Sequence, residues 1–331
     1  MQSKPKILVV GSFVMDQIAE TPVFPRQGQT VLGGRFTKAP GGKGANQAVQ
    51  AARLGADVTM VGKLGRDANC EEMLAACKRD GIRTEHVLYD PKEPSGCSVI
   101  ILEKGGDGQT LNRIIVLSGS NMTITTEEVA FLEELLPAYD LVMLQLEIPM
   151  EVNEFVAEMA YRKGVKVMLN SAPSAPLSDK FLSHLTYISP NEHEAYDLTG
   201  IEIRHEGKPV ELADARAAAQ ALRNKGVQNV LITLGDAGAV LDTERGFHYG
   251  PGVEGVVAVD PTAAGDSFVG AFCVGSCLNW QEEELLRFAN HTAALTVSKM
   301  GAMPSLPVLS EVEAYLAQKG VEWPDTSVLK A

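Results

Sequence analysis

NKGVQNVLITLG, residues 224 to 235, decides the fold. A helix pattern ends at basic residues, Gly226 takes the left-handed position that stops helices, and an apolar, β-branched strand follows at once. RKGVKVMLN (162–170) and RLGADVTMVG (53–62) repeat the pattern, with Gly164 and Gly55 in the same role. Helix followed by buried strand, several times over, predicts an α/β fold: a mostly parallel central sheet flanked by helices on both faces. KILVV (6–10) and DLVMLQL (140–146) add strands, and residues 150–163 read as the crossover helix before Lys166.

Two regions break the pattern. Residues 12–40 carry Thr, Val, Phe, Pro and paired Gly with no helical period, and residues 95–118 alternate as a hairpin around Gly105, Gly106 and Gly108. Both read as strands of a small β-sheet lid. No low-complexity linker sets them apart, so the expectation is a single domain over 1–331 with the lid inserted in it.

Composition narrows the class. The chain has 331 residues, 45% of them hydrophobic, enough to bury a sizeable core. Its net charge of −13 and lack of a Lys/Arg run argue against nucleic acid or an anionic membrane as partner. No apolar run approaches the roughly 18 residues of a spanning helix, and the start, MQSKPKILVVGS, enters a strand without a signal-cleavage pattern. Cytoplasmic localisation is the expectation. Five cysteines, an odd number with no CxxC pair, suit reduced thiols. Cys273 and Cys277 lie four apart on a helix with no His or Cys partners near, which reads as packing rather than metal ligation.

The chemistry concentrates in DPTAAGDSFVGAF, residues 260–272. Ala263, Ala264 and Gly265 leave the N–H groups of a helix start open, and the helix dipole adds roughly half a positive charge there, so an anion such as phosphate is welcome. Asp266 beside such an anion makes sense if it removes a proton from an incoming nucleophile. The competing reading is that Asp266 caps its own helix. A second stretch, PGGKGANQAVQAARLG (40–55), is neither a P-loop nor a G-x-G-x-x-G fingerprint. Gly41, Gly42 and Gly44 allow a close backbone approach or a tight turn before a helix, and Asn46 can both donate to and accept from vicinal hydroxyls.

In order along the chain, GS-x-x-x-D (11–16), GGKGANQAV (41–49), QLE (145–147), PNEHE (190–194), ITLGDAG (232–238) and DPTAAGDSF (260–268) resemble the ribokinase-like sugar kinases, the phosphofructokinase B type family. The resemblance covers essentially the whole chain. It implies an ATP-dependent kinase that phosphorylates the terminal hydroxymethyl of a pentose, D-ribose to D-ribose 5-phosphate foremost. Other acceptors within the family are deoxyribose, a keto-deoxy sugar acid, fructose or a nucleoside. A sugar-binding protein without catalysis is the reading from another class.

The resemblance also implies roles. Asp266 is the general base, and Ala263, Ala264 and Gly265 form the anion hole. Asp16, Gly41, Gly42, Asn46 and Glu147 contact the sugar. Without the family, Asp16 and Glu147 would read as exposed acids at strand ends. Asn191 and Glu194 help to hold Mg2+ and phosphate through water, where alone they look like a helix cap and a surface acid. Thr233, Gly235 and Gly238 cradle the nucleotide, with Asn290 beside the adenine. Asp260 and Thr262, backbone from Thr296, Lys299 and Gly301, and the Ser305 hydroxyl match loops that hold a monovalent cation, implying K+ dependence. A homodimer formed through the lid is also implied.

Three positions depart from the family pattern. Val14 stands where a polar Asn touches the sugar, which favours an acceptor lacking a hydroxyl. Pro261 stands for Thr in the cation loop, removing an N–H. Asn290 replaces a common His.

Overall fold

The computed structural model describes residues 3–104, 110–204 and 211–330. In chain order its strands are β1 (Lys6–Val10), β2 (Val14–Thr21), β3 (Phe36–Gly41), β4 (Asp57–Val61), β5 (Lys63–Gly65), β6 (Leu88–Asp90) and β7 (Cys97–Lys104). There follow β8 (Thr110–Leu117), β9 (Leu141–Gln145), β10 (Lys166–Asn170), β11 (Tyr187–Ser189), β12 (Asn229–Thr233), β13 (Gly238–Thr243) and β14 (Gly246–Pro251). Eight of them form the central sheet, ordered β14-β13-β12-β11-β10-β9-β1-β4. Every pairing from β4 to β12 is parallel, and β13 and β14 add an antiparallel edge that the sequence reading did not separate. The three strands expected after Gly55, Gly164 and Gly226 are β4, β10 and β12, and all three glycines have positive φ.

Alternation within the strands explains the layers. Ile7, Val9 and Met143 point into one apolar core, Leu8, Val10 and Leu144 into another, as side chains of successive strand residues must. The first core is covered by α1 (Lys43–Arg53), α2 (Ala68–Arg79), α9 (Ala264–Cys277), α10 (Glu282–Val297) and α11 (Leu309–Gln318). The second is covered by α3 (Thr126–Val129), α4 (Leu132–Leu135), α5 (Met150–Arg162), α6 (Asp179–Ser183), α7 (Glu192–Thr199) and α8 (Leu212–Asn224). Both faces are thus buried, which is why β1 and β9 read as unbroken apolar runs.

The non-helical regions form a separate four-stranded sheet, ordered β3-β2-β7-β8. Of residues 12–40, only Val14–Thr21 and Phe36–Gly41 are strand. β7 and β8 pair as the expected antiparallel hairpin, and its turn, with Gly105, Gly106 and Gly108, lies outside the described residues. β5 and β6 make a minor parallel pair.

One topological fact places the site. The chain runs from β1 to the edge strand β4 and then returns to the other side of β1 as β9. Strand order reverses there, and in open α/β sheets the crevice at the carboxyl ends of such strands receives ligands. Gly11–Ser12, Gln145–Glu147, Asn170, Asn191 and Thr233 all follow or end strands at that edge of the sheet.

Candidate active site

α9 starts without a side-chain cap. Its N-cap is Ala263, held at φ 62, a left-handed conformation that costs an alanine roughly 1–2 kcal/mol. Asp266 therefore does not cap its helix, and that reading is corrected. Its carboxylate turns across to α1 instead: Asn46 Nδ2 donates to Oδ2 at 2.9 Å and Gln47 Nε2 to Oδ1 at 3.0 Å. Asp266 is 7% exposed and lines a cavity of about 230 Å³ together with Lys43, Asn170, Asn191, Glu194 and Gly265.

A larger cavity of about 870 Å³ adjoins it, sharing Asn191, Thr233, Pro261, Ala264 and Gly265. Gly235, Gly238 and Asn290 line this second space, whose far wall is apolar: Val256, Phe268, Ala293 and Val297. Asn290 is buried and donates to the carbonyls of Gly250 and Pro251 at 3.0 and 3.1 Å. The two spaces meet at the open start of α9. Such a shape accepts a flat apolar group at one end and an anion at the other.

The sugar-side acids are not exposed strand ends. Asp16, at the start of β2, is half-buried and accepts a hydrogen bond from Ser98 on the neighbouring strand β7. Burial raises its pKa above the ordinary value, and the charges of Glu147 and Asp266 push the same way. Glu147 Oε2 accepts from the Ser12 hydroxyl at 2.5 Å and from the Lys43 N–H at 3.0 Å. It is thus an internal anion at the start of α1. Two glycines of this turn are needed by the chain's own packing: a Cβ on Gly42 (φ +93) would sit 2.7 Å from the Val14 nitrogen, and one on Gly44 2.5 Å from that of Ser12. The close approach is between α1 and the β1–β2 connection. Asn46 Oδ1 is buried and has no hydrogen-bond partner among the described residues, which costs roughly 1–3 kcal/mol.

Asn191 and Glu194 form a reciprocal capping box at the start of α7, with Asn191 N–H to Glu194 Oε2 at 3.0 Å and Glu194 N–H to Asn191 Oδ1 at 2.9 Å. The helix-cap reading is right in geometry, but Glu194 is no surface acid. It is 8% exposed, and burial raises its pKa against the pull of the Asn191 N–H and of Lys43. A bridge to Thr233 and the Thr233 N–H to Pro190 carbonyl bond (3.0 Å) hold the motif against β12.

At the remaining cluster, Asp260 Oδ1 accepts from the N–H and hydroxyl of Thr262, and Oδ2 from the Gly301 N–H at 2.8 Å. The Asp260 N–H reaches the Val297 carbonyl and that of Lys299 the Thr296 carbonyl, so the 260–262 and 296–301 loops are laced together. Pro261 lacks an N–H, but the loop's bonds run through its neighbours. The Thr296 hydroxyl points away, to Ser267 and Thr292, and Ser305 is buried with its hydroxyl donating to the Ala302 carbonyl. All five cysteines are free. Burial pushes the Cys277 thiol up to about 12 and that of Cys273 well above its usual value. Among the described residues no cluster of His, Cys, Asp and Glu could hold a metal by side chains alone, and no helix is long and apolar enough to cross a membrane.

The sequence reading passed over Lys43. Burial opposes its charge, yet Asp266, Glu147 and Glu194 outweigh that and hold its pKa above the ordinary value, and Lys43 lines the smaller cavity. Its signal was present: a lysine in the first turn of a helix is electrostatically misplaced unless an anion meets it. Ser12, Gln47 and Ser98 were missed too, since nothing local marks a residue whose partner lies a hundred positions away.

An open helix start, a buried carboxylate, a lysine lining the same cavity and a two-part cleft define a phosphotransferase site. The model of the pfkB family carbohydrate kinases matches residues 4–309. The ribokinase of Schizosaccharomyces pombe is 38% identical over 314 residues, covering 93% of this chain and 96% of that one. The deoxyribokinase of Salmonella typhi is 32% identical, covering 94% and 98%. Among solved structures, Arabidopsis thaliana ribokinase complexed with ribose and ATP superposes with a TM-score of 0.84 at 32% identity, covering 95% of this chain and 99% of that one. The chain belongs to the pfkB family and is a carbohydrate kinase.

Proposed function

We propose that this kinase transfers the γ-phosphoryl group of ATP to the terminal hydroxymethyl of a pentose, converting D-ribose to D-ribose 5-phosphate. The observation that carries the reading is Asp266, buried, held by two amides and lining the smaller cavity next to Gly265, which both cavities share. Its carboxylate takes the proton from the 5-hydroxyl as that oxygen bonds to the γ-phosphorus and the bond to the ADP oxygen breaks. Charge on the transferring group meets the helix start at Ala263–Gly265 and the Lys43 ammonium, which line the same cavity and lower the energy of the charged transition state. Asp16, Asn46 and Glu147 orient the sugar together with Gly41 and Gly42, and the free Asn46 Oδ1 suits a sugar hydroxyl donor. Thr233, Gly235 and Gly238 carry the nucleotide phosphates, with Asn290 toward the base.

Two ions fit these residues. Mg2+ prefers oxygen ligands and keeps its waters, and Glu194 with Asn191 supplies acceptors at the junction of the cavities; when bound, the ion would neutralise phosphate charge. K+ fits the loops of Asp260, Thr262, Thr296, Lys299, Gly301 and Ser305, where a carboxylate, a hydroxyl and backbone carbonyls lie close together. A homodimer through the lid is supported by β8, an edge strand whose consecutive residues Ile114, Ile115 and Val116 are each at least half exposed (53%, 60% and 57%). Apolar exposure on both faces of an edge calls for a cover.

A second acceptor reading rests on Val14. It is 6% exposed, opens β2 opposite Gly41, and lies on the same strand face as Asp16. An apolar group there favours 2-deoxyribose over ribose.

A coupled ADP-release assay over ribose, deoxyribose, fructose and a nucleoside, with and without K+, tests both. Turnover highest on ribose supports the first reading and turnover highest on deoxyribose the second. No turnover on any sugar defeats both. Asp266→Asn should lower kcat by about 10²–10⁴ while sugar binding survives.

A further inference from the structure

Asp266 is gripped by two amides, and the second of them, Gln47, is the more deeply buried. Gln47 is fully buried and lines neither cavity. Because an ionised carboxylate only accepts hydrogen bonds, Gln47 must turn its NH2 toward Asp266 and its carbonyl oxygen away. On that far side Gln145 Nε2, also fully buried, donates to Gln47 Oε1 at 2.7 Å. The second hydrogen of the Gln47 amide reaches Asn170 Oδ1 at 3.2 Å, and Asn170 in turn donates to the Ser189 carbonyl. Gln47 is therefore satisfied at every atom in one orientation only. One turn further along α1, Gln50 Oε1 accepts from the Ser267 hydroxyl at 2.9 Å. Thus α1 grips two consecutive residues of α9, with Gly270 leaving room: a Cβ there would lie 2.9 Å from that of Gln50.

We propose that Gln47, oriented by Gln145, is a positioning residue that aims the Asp266 carboxylate at the sugar hydroxyl; this rests on Asp266 being the base. Ala45, Ala48 and Val49 of α1 and Phe268, Val269 and Phe272 of α9 already lie in the same apolar core. A buried amide pair between a strand end and a helix costs desolvation that packing alone does not require. What the pair adds is direction, since a carboxylate free to rotate loses the alignment on which proton transfer depends.

The test is a double-mutant cycle in steady-state and single-turnover kinetics. Gln47→Met keeps the volume and removes both hydrogen-bonding groups. It should lower kcat by about 10- to 100-fold, change the sugar KM by less than about threefold, and have no further effect in the Asp266→Asn background, because it acts through that carboxylate. Gln145→Glu, which touches neither substrate nor Asp266, should lower kcat in the same direction: an acceptor at 145 takes the Gln47 NH2 and turns Oε1 against Asp266. It also stands in for Gln47→Met should that variant fail to fold. An unchanged kcat overturns the proposal, as does an equal fall in both backgrounds, which would mark a merely structural contact. Near-normal turnover of Asp266→Asn alone would remove the base assignment itself, a failure distinct from that of the relay.

Discussion

α1 and α9 begin alike and end up doing opposite things. Both have an N-cap in the left-handed region, Gly42 at φ 93 and Ala263 at φ 62, and neither has a side-chain cap. The start of α1 is filled from within: Glu147 takes the Lys43 N–H, and the Ser12 hydroxyl takes that of Gly44 at 3.2 Å. At the start of α9 the Ala264 N–H reaches the Pro261 carbonyl at 3.2 Å, but among the described residues no side chain caps it, and Ala264 and Gly265 line both cavities. A helix terminus satisfied by its own protein is scaffold. One left for a ligand is where binding energy goes into chemistry.

The comparison breaks most sharply if α9 is filled in the way α1 is. Gly265 has nothing within 4 Å of an added Cβ, so Gly265→Asp should fold. An acid in the first turn stabilises a helix by about 0.3–1 kcal/mol, but there it repels the phosphoryl group, and kcat should fall by about 10³ or more. Calorimetry alongside kinetics would show stability kept while activity is lost. Emptying α1 has a smaller effect. Glu147→Gln removes a charged acceptor from a half-buried site, and should cost about 1–2 kcal/mol in denaturant unfolding and raise the sugar KM about tenfold with kcat less affected. Between the two acceptor sugars, Val14→Asn should shift the ribose-to-deoxyribose ratio of kcat/KM toward ribose by about five- to tenfold. The smallest effect is expected of Ala263→Gly: relief of the left-handed alanine should stabilise the chain by about 0.5–1 kcal/mol in thermal unfolding.

Legibility followed range. The helix–glycine–strand units were readable because the conformation of Gly226 and the apolar run after it are set within a few residues, and the same holds for the Asn191–Glu194 box. The antiparallel strands β13 and β14 were not read from the sequence, since Gly246–Pro251 carries no apolar run and is mostly half-buried or exposed. The glycines of 41–44 left a close approach and a tight turn equally open in sequence, and at Gly42 and Gly44 the space a Cβ would take is filled by Phe13, Val14, Gly11 and Ser12. Lys43 lay inside a motif already noted and was passed over because its meaning comes from three carboxylates spread between positions 147 and 266.

By itself the sequence determined the layered α/β architecture and the residues at which phosphoryl transfer should be sought, because apolar periodicity and glycine conformation are local properties. Only the tertiary structure decided whether Asp266 caps its helix or faces a partner, and it faces Asn46 and Gln47, 220 and 219 positions away along the chain. A carboxylate has the same composition in either role. What separates the roles is which donors the fold brings within hydrogen-bonding distance, and that is fixed by the packing of α1 against α9 over the switch point of the sheet.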